Sequence, residues 1–190
     1  MTTPLKTPYL SILIELLLSY ERRYPTEFLA SAFRGFAQNQ ESCLSRHCFS
    51  DGHFTVSAWV TNHNRNKCLL TYHRKLCKWL QLGGHIESEA DPLKTAIREV
   101  EEESGLVAAP LDKQIFDLDK HLVPKGGGEP SHFHYDVRFL LEANEQTPLI
   151  QSNESIAMRW FDLGEVRRFT KEKSIARMVD KHRNQMLDSN

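Results

Sequence analysis

Residues 84–106 of the 190-residue chain read GHIESEADPLKTAIREVEEESGL, and this stretch decides the fold. A helix is predicted over 91–104, because Asp91 can cap its start, Pro92 suits the first helical position and Gly105 suits the residue past its end. The apolar residues at helical spacing form one stripe that is predicted to face the core: Leu93, Ala96, Ile97 and Val100.

The end of this helix carries carboxylates on a different face. Glu99, Glu102 and Glu103 stand in an i, i+3, i+4 relation, which brings them within reach of one point in space. Their mutual repulsion and the negative end of the helix dipole both disfavour this arrangement. An isolated acidic run is usually a solvated helix face, but hard divalent cations bind to such oxygen clusters. Glu101 points elsewhere and is predicted to be solvated.

The stretch resembles the Nudix hydrolase signature G-x5-E-x7-R-E-U-x-E-E-x-G-U, in which U is aliphatic. The positions that match are Gly84, Arg98, Glu99, Val100, Glu102, Glu103, Gly105 and Leu106. The first glutamate of the signature falls on Ala90, and Glu87 or Glu89 could replace it as the ion-pair partner of Arg98.

The resemblance implies an α/β fold, the Nudix α/β/α sandwich with a mixed sheet. We predict an N-terminal helical extension over residues 1–50, the Nudix domain over 51–168, and a C-terminal helix over 169–190 that packs on the domain. Asp162 and Glu165 are the predicted capping box of that last helix. Strand patterns occur at 53–60, 68–73, 79–82, 115–124, 132–143 and 158–163.

The resemblance also implies hydrolysis of a nucleoside diphosphate linked to another group, such as ADP-ribose, a nucleotide sugar or a nucleoside triphosphate. In the family, Mg²⁺ or Mn²⁺ is held by the later glutamates and by a glycine carbonyl. The metal ligands that correspond here are Gly83, Glu99, Glu102 and Glu103. The predicted catalytic residues are Arg98, Glu102, Glu103 and Glu154; Arg98 orients Glu102, and Glu102 and Glu154 are both candidates for the general base.

A second polar surface follows from the strand pattern HFHYDVRFLLE at 132–142. Its alternation places His132, His134, Asp136 and Arg138 on the face opposite Phe133 and its apolar neighbours, so that these four either face solvent or line a cleft. Arg138 could hold an anion in bidentate fashion, and a histidine could orient phosphate or bind the metal. The predicted substrate-binding residues are Arg74, His85, His132, His134, Asp136 and Arg138.

Composition favours a small-molecule partner. The formal net charge of −1 provides no basic field for nucleic acid, and the apolar run at 10–18 is too short to cross a membrane. We therefore predict a nucleoside diphosphate derivative as partner, no nucleic acid, no membrane, and a monomer or homodimer. The four cysteines suit a reduced, cytoplasmic compartment. Cys43, His47, Cys48 and His53 match no common zinc-finger spacing, so the cysteines are predicted to be plain thiols.

Two alternatives stay open. Ala90 is compatible with a Nudix-like module that senses a nucleotide without cleaving it, although retention of the three glutamates argues for catalysis. An isopentenyl-type diphosphate isomerase shares the fold, but the chain has no cysteine–histidine segment like the catalytic one of that family.

Overall fold

The computed structural model describes residues 8–40, 42–87 and 91–188. The helices are α1 (Pro8–Arg23), α2 (Leu29–Asn39), α3 (Pro92–Ser104), α4 (Val166–Phe169) and α5 (Lys173–Asp188). The strands are β1 (His53–Thr61), β2 (Lys67–His73), β3 (Lys78–Leu80), β4 (Leu82–His85), β5 (Ala108–Pro110), β6 (Asp117–Val123), β7 (His132–Ala143) and β8 (Ser155–Asp162). The α/β class and the N-terminal helices are confirmed. None of the helices in this part of the chain is long and apolar enough to cross a membrane.

The strands are hydrogen-bonded in the order β3-β2-β1-β7-β5, with β4 beside β1, β6 beside β7 and β8 beside β2. Strands β1 and β2 form an antiparallel hairpin, in which Thr61 pairs with Cys68. The side-chain oxygen of Asn62 accepts hydrogen bonds from the backbone N–H groups of Asn66 and Lys67. Asparagine closes turns in this way because its amide can substitute for a backbone acceptor.

Contacts within the chain divide it into two compact units. The first unit contains the described residues of 1–56, 84–96 and 113–139, and the second contains those of 57–83, 97–112 and 140–190. Each is described below by itself.

The first unit contains the N-terminal helices. Helices α1 and α2 pack on each other, and Leu13 and Leu17 of α1 are buried. Helix α2 also packs on strand residues through aromatic rings, because Phe36 stacks on Tyr135 at a centroid distance of 4.0 Å and lies 5.3 Å from Phe54. Phe33 of α2 is fully buried, and full burial of such a ring contributes about 1.5–3 kcal/mol to folding, so the N-terminal helices are part of this core.

In the second unit, β2 pairs antiparallel with both β3 and β8. A buried hydrogen bond joins helix α5 to β1. The indole N–H of Trp59 in β1 donates to Nδ1 of His182 in α5 at 3.0 Å. Both side chains are almost completely buried.

One local prediction about a helix end was wrong. Glu165 is the N-cap of the short helix α4 but makes no side-chain capping bond, so the predicted capping box with Asp162 does not form. Thr170 is extended and separates α4 from α5, which divides the C-terminal helical region.

Candidate active site

Helix α3 starts as its sequence predicts. The Asp91 carboxylate accepts a hydrogen bond from the backbone N–H of Lys94 at 2.9 Å, and Pro92 is the first helical residue. The side chains of Ala96 and Val100 are fully buried, whereas those of Leu93 and Ile97 are half-buried, so the apolar stripe faces a core in part.

The end of α3 is fixed by Gly105 and by residues 150–152. Gly105 has φ +70°, a left-handed conformation that favours glycine, and its N–H donates to the Glu101 carbonyl at 2.8 Å. The N–H of Ile150 then donates to the Ser104 carbonyl at 2.8 Å, and that of Ser152 donates to the Glu103 carbonyl at 3.3 Å. The last turn of α3, which carries the glutamates, is therefore held rigidly.

Glu103 is a buried carboxylate with one fixed oxygen. Its residue exposure is 7%, and Oε1 accepts a hydrogen bond from the Gly83 N–H at 2.7 Å. The glycine predicted to supply a metal ligand through its carbonyl thus also orients Glu103.

Arg98 joins the two other glutamates of the cluster. Its Nη2 lies 2.9 Å from Oε1 of Glu99, and its Nη1 donates to Oε2 of Glu102 at 2.7 Å. Glu99 is buried, whereas the Glu102 side chain is 58% exposed. Glu102 therefore presents an oriented carboxylate toward solvent, and Glu101 is exposed as predicted.

The buried pair resists ionisation. Burial raises the pKa of Glu99 to about 7, although Arg98 acts in the opposite direction. Burial raises the pKa of Glu103 to about 8 against the Gly83 hydrogen bond, and the charges of Glu99, Glu154 and Glu102 add to the shift. Strongly raised carboxyl pKa values are common at functional sites.

A hard divalent cation fits this donor set. Glu99 and Glu103 supply carboxylate oxygens, which are the ligands that Mg²⁺ and Mn²⁺ prefer. A bound cation would stabilise their ionised forms, and so would lower the pKa values that burial raises.

Glu154 belongs to this electrostatic environment, since its charge raises the pKa values of both Glu99 and Glu103. Its loop is held by Arg74, whose Nε donates to the Asn153 carbonyl at 2.8 Å and whose Nη2 donates to the Ser155 carbonyl at 2.9 Å. The Arg74 N–H also donates to the Glu154 carbonyl at 2.8 Å. Arg74, predicted to bind substrate phosphate, thus holds the loop that carries Glu154.

Asp136 and Arg138, also predicted to bind substrate, form a buried ionic network in the first unit. Arg138 is 1% exposed, and its Nε donates to Asp136 at 2.7 Å. Its Nη1 donates to Asp117 at 3.3 Å, and its Nη2 lies 3.4 Å from Asp119. A guanidinium surrounded by three carboxylates is engaged within the protein, which favours a structural role over the expected anion binding. Strand β6 supplies two of these carboxylates, which the β7 sequence alone could not indicate.

The remaining predicted residues form a histidine cluster in the first unit. The rings of His132 and His134 have centroids 5.0 Å apart, and the His85 ring lies 5.4 Å from that of His134. His53, which the sequence prediction missed, lies 4.7 Å from His134. Burial lowers the pKa of His85 to about 4 and that of His134 to about 2, so these imidazoles are neutral at pH 7.

The alternation of β7 predicted its environment only in part. Phe133, expected in the core, is 41% exposed, whereas His132 is buried.

Residues Glu89 and Ala90, on which the departure from the signature depends, lie outside the described residues.

Comparison with known families supports the sequence resemblance. The NUDIX domain family model matches residues 52–182. A crystal structure of a hydrolase of the NUDIX family from Clostridium perfringens is 24% identical, with a TM-score of 0.56, and the match covers 75% of this chain and 99% of that one. This likeness confirms the predicted mixed-sheet α/β fold.

Two curated relatives are more similar over shorter segments. A probable DHNTP pyrophosphohydrolase from Lactococcus lactis subsp. cremoris is 42% identical over 93 residues, which are 48% of this chain and 55% of that protein. An RNA pyrophosphohydrolase from Sphingopyxis alaskensis is 33% identical over 100 residues, which are 46% of this chain and 63% of that protein. The chain therefore spans less than two thirds of the length of either relative.

Proposed function

The chain belongs to the Nudix hydrolase family, and from this premise we propose that it is a divalent-metal-dependent hydrolase of a diphosphate linkage. The expected substrate is a nucleoside diphosphate joined to another group, cleaved by attack of water on phosphorus. The observation that carries the proposal is the buried pair Glu99 and Glu103, held in place beside the exposed Glu102.

Glu99 and Glu103 would hold Mg²⁺, or Mn²⁺ in its place, with Glu102 and the Gly83 carbonyl as further ligands. When bound, such a cation neutralises diphosphate charge and lowers the pKa of a coordinated water. The Gly83 N–H fixes the orientation of Glu103, and Arg98 fixes that of Glu99. These contacts preorganise the carboxylates before substrate arrives, which reduces the reorganisation that catalysis requires.

Two carboxylates are candidates for the general base. Glu102 is exposed and oriented by Arg98, and Glu154 is exposed on the loop that Arg74 holds. Either could accept a proton from the attacking water, as general bases do when they lie within hydrogen-bond reach. The discriminating variant is Glu154→Gln, because Glu102 is also a proposed metal ligand. Loss of the base lowers kcat by about 10²–10⁴-fold, so a wild-type kcat in Glu154→Gln would leave Glu102 as the base.

The names of the two curated relatives support cleavage of a pyrophosphate bond. We propose a small-molecule substrate, with His85, His132 and His134 in its binding, and a monomer or homodimer as the active form. The described cysteines are all free thiols, which supports the reduced, cytoplasmic compartment proposed above. We also propose that residues 1–50 form an N-terminal extension, that residues 51–168 form the catalytic domain, and that residues 169–190 form a C-terminal helix.

The experiment is a Mg²⁺-dependent screen of the purified chain against ADP-ribose, nucleotide sugars, nucleoside triphosphates and dinucleoside polyphosphates, with products identified by mass spectrometry. Glu103→Gln should abolish turnover. Glu101→Gln is the matched control, because it removes the same charge from an exposed position of the same helix. Wild-type turnover by Glu103→Gln would remove that residue from the mechanism. Nucleotide binding without turnover by the wild type would favour the sensing module, and a product with an intact diphosphate would favour the isomerase.

A further inference from the structure

Three imidazoles of the first unit converge at one point. His53 begins β1, and His132 and His134 belong to β7. One ring nitrogen of each lies within 4.8 Å of those of the other two, and the three ring centroids are 4.7–5.0 Å apart. We propose that His53, His132 and His134 form a Zn²⁺ site, built from residues other than the carboxylates proposed to bind Mg²⁺.

Backbone carbonyls determine which nitrogens face this point. Nδ1 of His53 lies 3.3 Å from the Cys48 carbonyl, and Nδ1 of His132 lies 2.8 Å from the Pro130 carbonyl. A carbonyl oxygen can only accept a hydrogen bond, so both Nδ1 atoms carry the proton. Each Nε2 then carries a lone pair. That of His132 accepts a hydrogen bond from Nε2 of His134 in the metal-free protein, so His134 must move its proton to Nδ1 in order to bind the metal. Histidines that bind metals commonly donate their other N–H to a carbonyl in this manner.

His53 provides an independent indication of a ligand. Its side chain is 0% exposed, and among the described residues no hydrogen-bond partner reaches its Nε2. A buried acceptor without a partner destabilises the folded protein. A metal ion bound to this lone pair would remove that destabilisation.

The spacing of the other two rings also suits a metal. Nε2 of His132 and Nε2 of His134 are 3.1 Å apart. Two nitrogen ligands of tetrahedral zinc are separated by about 3.3–3.4 Å, since each Zn–N bond is about 2.0–2.1 Å. The two nitrogens therefore lie close to the separation that shared coordination requires.

The donor type selects the class of metal. Neutral imidazoles suit Zn²⁺ and related transition metals, whereas Mg²⁺ prefers oxygen. Three protein ligands leave a fourth position of the tetrahedron for water or an anion. The His85 ring stands beside the cluster, 5.1 Å from that of His53. The zinc site shares His132 and His134 with the proposed substrate-binding residues but uses none of the carboxylates proposed to bind Mg²⁺. Measurement of zinc binding therefore does not require hydrolytic activity.

The first test uses the whole chain. After removal of metals by a chelator, the protein is incubated with Zn²⁺ in excess Mg²⁺ and gel-filtered, and its zinc content is measured by mass spectrometry. We expect one zinc per chain and a higher Tm than in Mg²⁺ alone, because a ligand that binds only the native state stabilises it. Co²⁺ in place of Zn²⁺ should produce the visible absorption of a four-coordinate site. A wild-type chain that retains no zinc would overturn the proposal.

Variants identify the ligands. His134→Gln, at a half-buried position, should weaken Zn²⁺ binding by at least the roughly 10–100-fold that loss of an outer-shell partner causes. His63→Gln is the matched control, since the His63 side chain is 89% exposed and contacts Glu142. Glu103→Gln should retain zinc even if it abolishes hydrolysis. Unchanged zinc affinity in His134→Gln, or loss of zinc in Glu103→Gln, would contradict the assignment.

Discussion

Replacing Glu103 with glutamine is expected to stabilise the metal-free protein at pH 8, although the same change should abolish hydrolysis. Glu103 is buried, and its pKa is raised from 4.5 to about 8. Between these two values the folded state binds more protons than the unfolded state, so stability falls as pH rises from about 4.5 to about 8. Glutamine does not ionise, and its amide oxygen can still accept the hydrogen bond from Gly83.

The size of the effect follows from the pKa values. One pKa unit corresponds to 1.36 kcal/mol, so between pH 5 and pH 8 the ionisation of Glu103 should lower the free energy of unfolding by about 3 kcal/mol. The variant loses this part of the pH dependence. The stability of the wild type minus that of Glu103→Gln should therefore decrease by about 3 kcal/mol over this range.

The assay is urea unfolding of both proteins at pH 5, 6, 7 and 8 in the presence of EDTA. Subtraction of the two curves cancels the ionisation of all groups that the proteins share. Glu101→Gln, at an exposed position, should follow the wild type throughout. A difference between wild type and Glu103→Gln that is constant from pH 5 to pH 8 would show that burial of this carboxyl carries no energetic cost, and would refute the reasoning.

Three further changes test other parts of the structure. Arg138→Met leaves the carboxylates of Asp136, Asp117 and Asp119 without their cation. It should lower the free energy of unfolding, measured in urea, by about 3–5 kcal/mol. A loss below 1 kcal/mol would contradict the structural role of Arg138. Gly105→Ala forces a side chain into a left-handed conformation with φ +70° and should cost about 1–2 kcal/mol in thermal unfolding, whereas equal stability would mean that the end of α3 relaxes freely. The pKa of His182 is lowered by burial from 6.5 to about 4, so the folded state binds fewer protons and stability should fall as pH drops from 6.5 to 4, by about 3 kcal/mol. His182→Gln should flatten this acid limb of a urea-midpoint profile, and an unchanged limb would assign it to other groups.

The helix that carries the glutamates could be predicted because its signals are local. Asp91, Pro92 and Gly105 mark its ends within the same short stretch, and the structure uses each of them as expected. Helical spacing also brought Arg98 one turn from Glu102, where the ion pair forms. Such contacts depend only on the geometry of one helix.

The environment of β7 could not be predicted in the same way. Alternation indicated a strand, but the register Asp117↔Arg138 with β6 decides that Arg138 is surrounded by carboxylates. His53 was considered only with its sequence neighbours, whereas it meets His132 and His134, about 80 residues later, in the structure. Side chains brought together by strand pairing leave no signal in local spacing.

The hydrogen bond between Trp59 and His182 provides an intrinsic fluorescence probe. Trp59 is completely buried, and its indole N–H donates to the imidazole of α5. Indole emission responds to the polarity and protonation of its immediate neighbours, so separation of α5 from β1 should shift the fluorescence of this tryptophan. With Trp79 and Trp160 replaced by phenylalanine, stopped-flow fluorescence could then time the docking of the C-terminal helix during refolding without an added label.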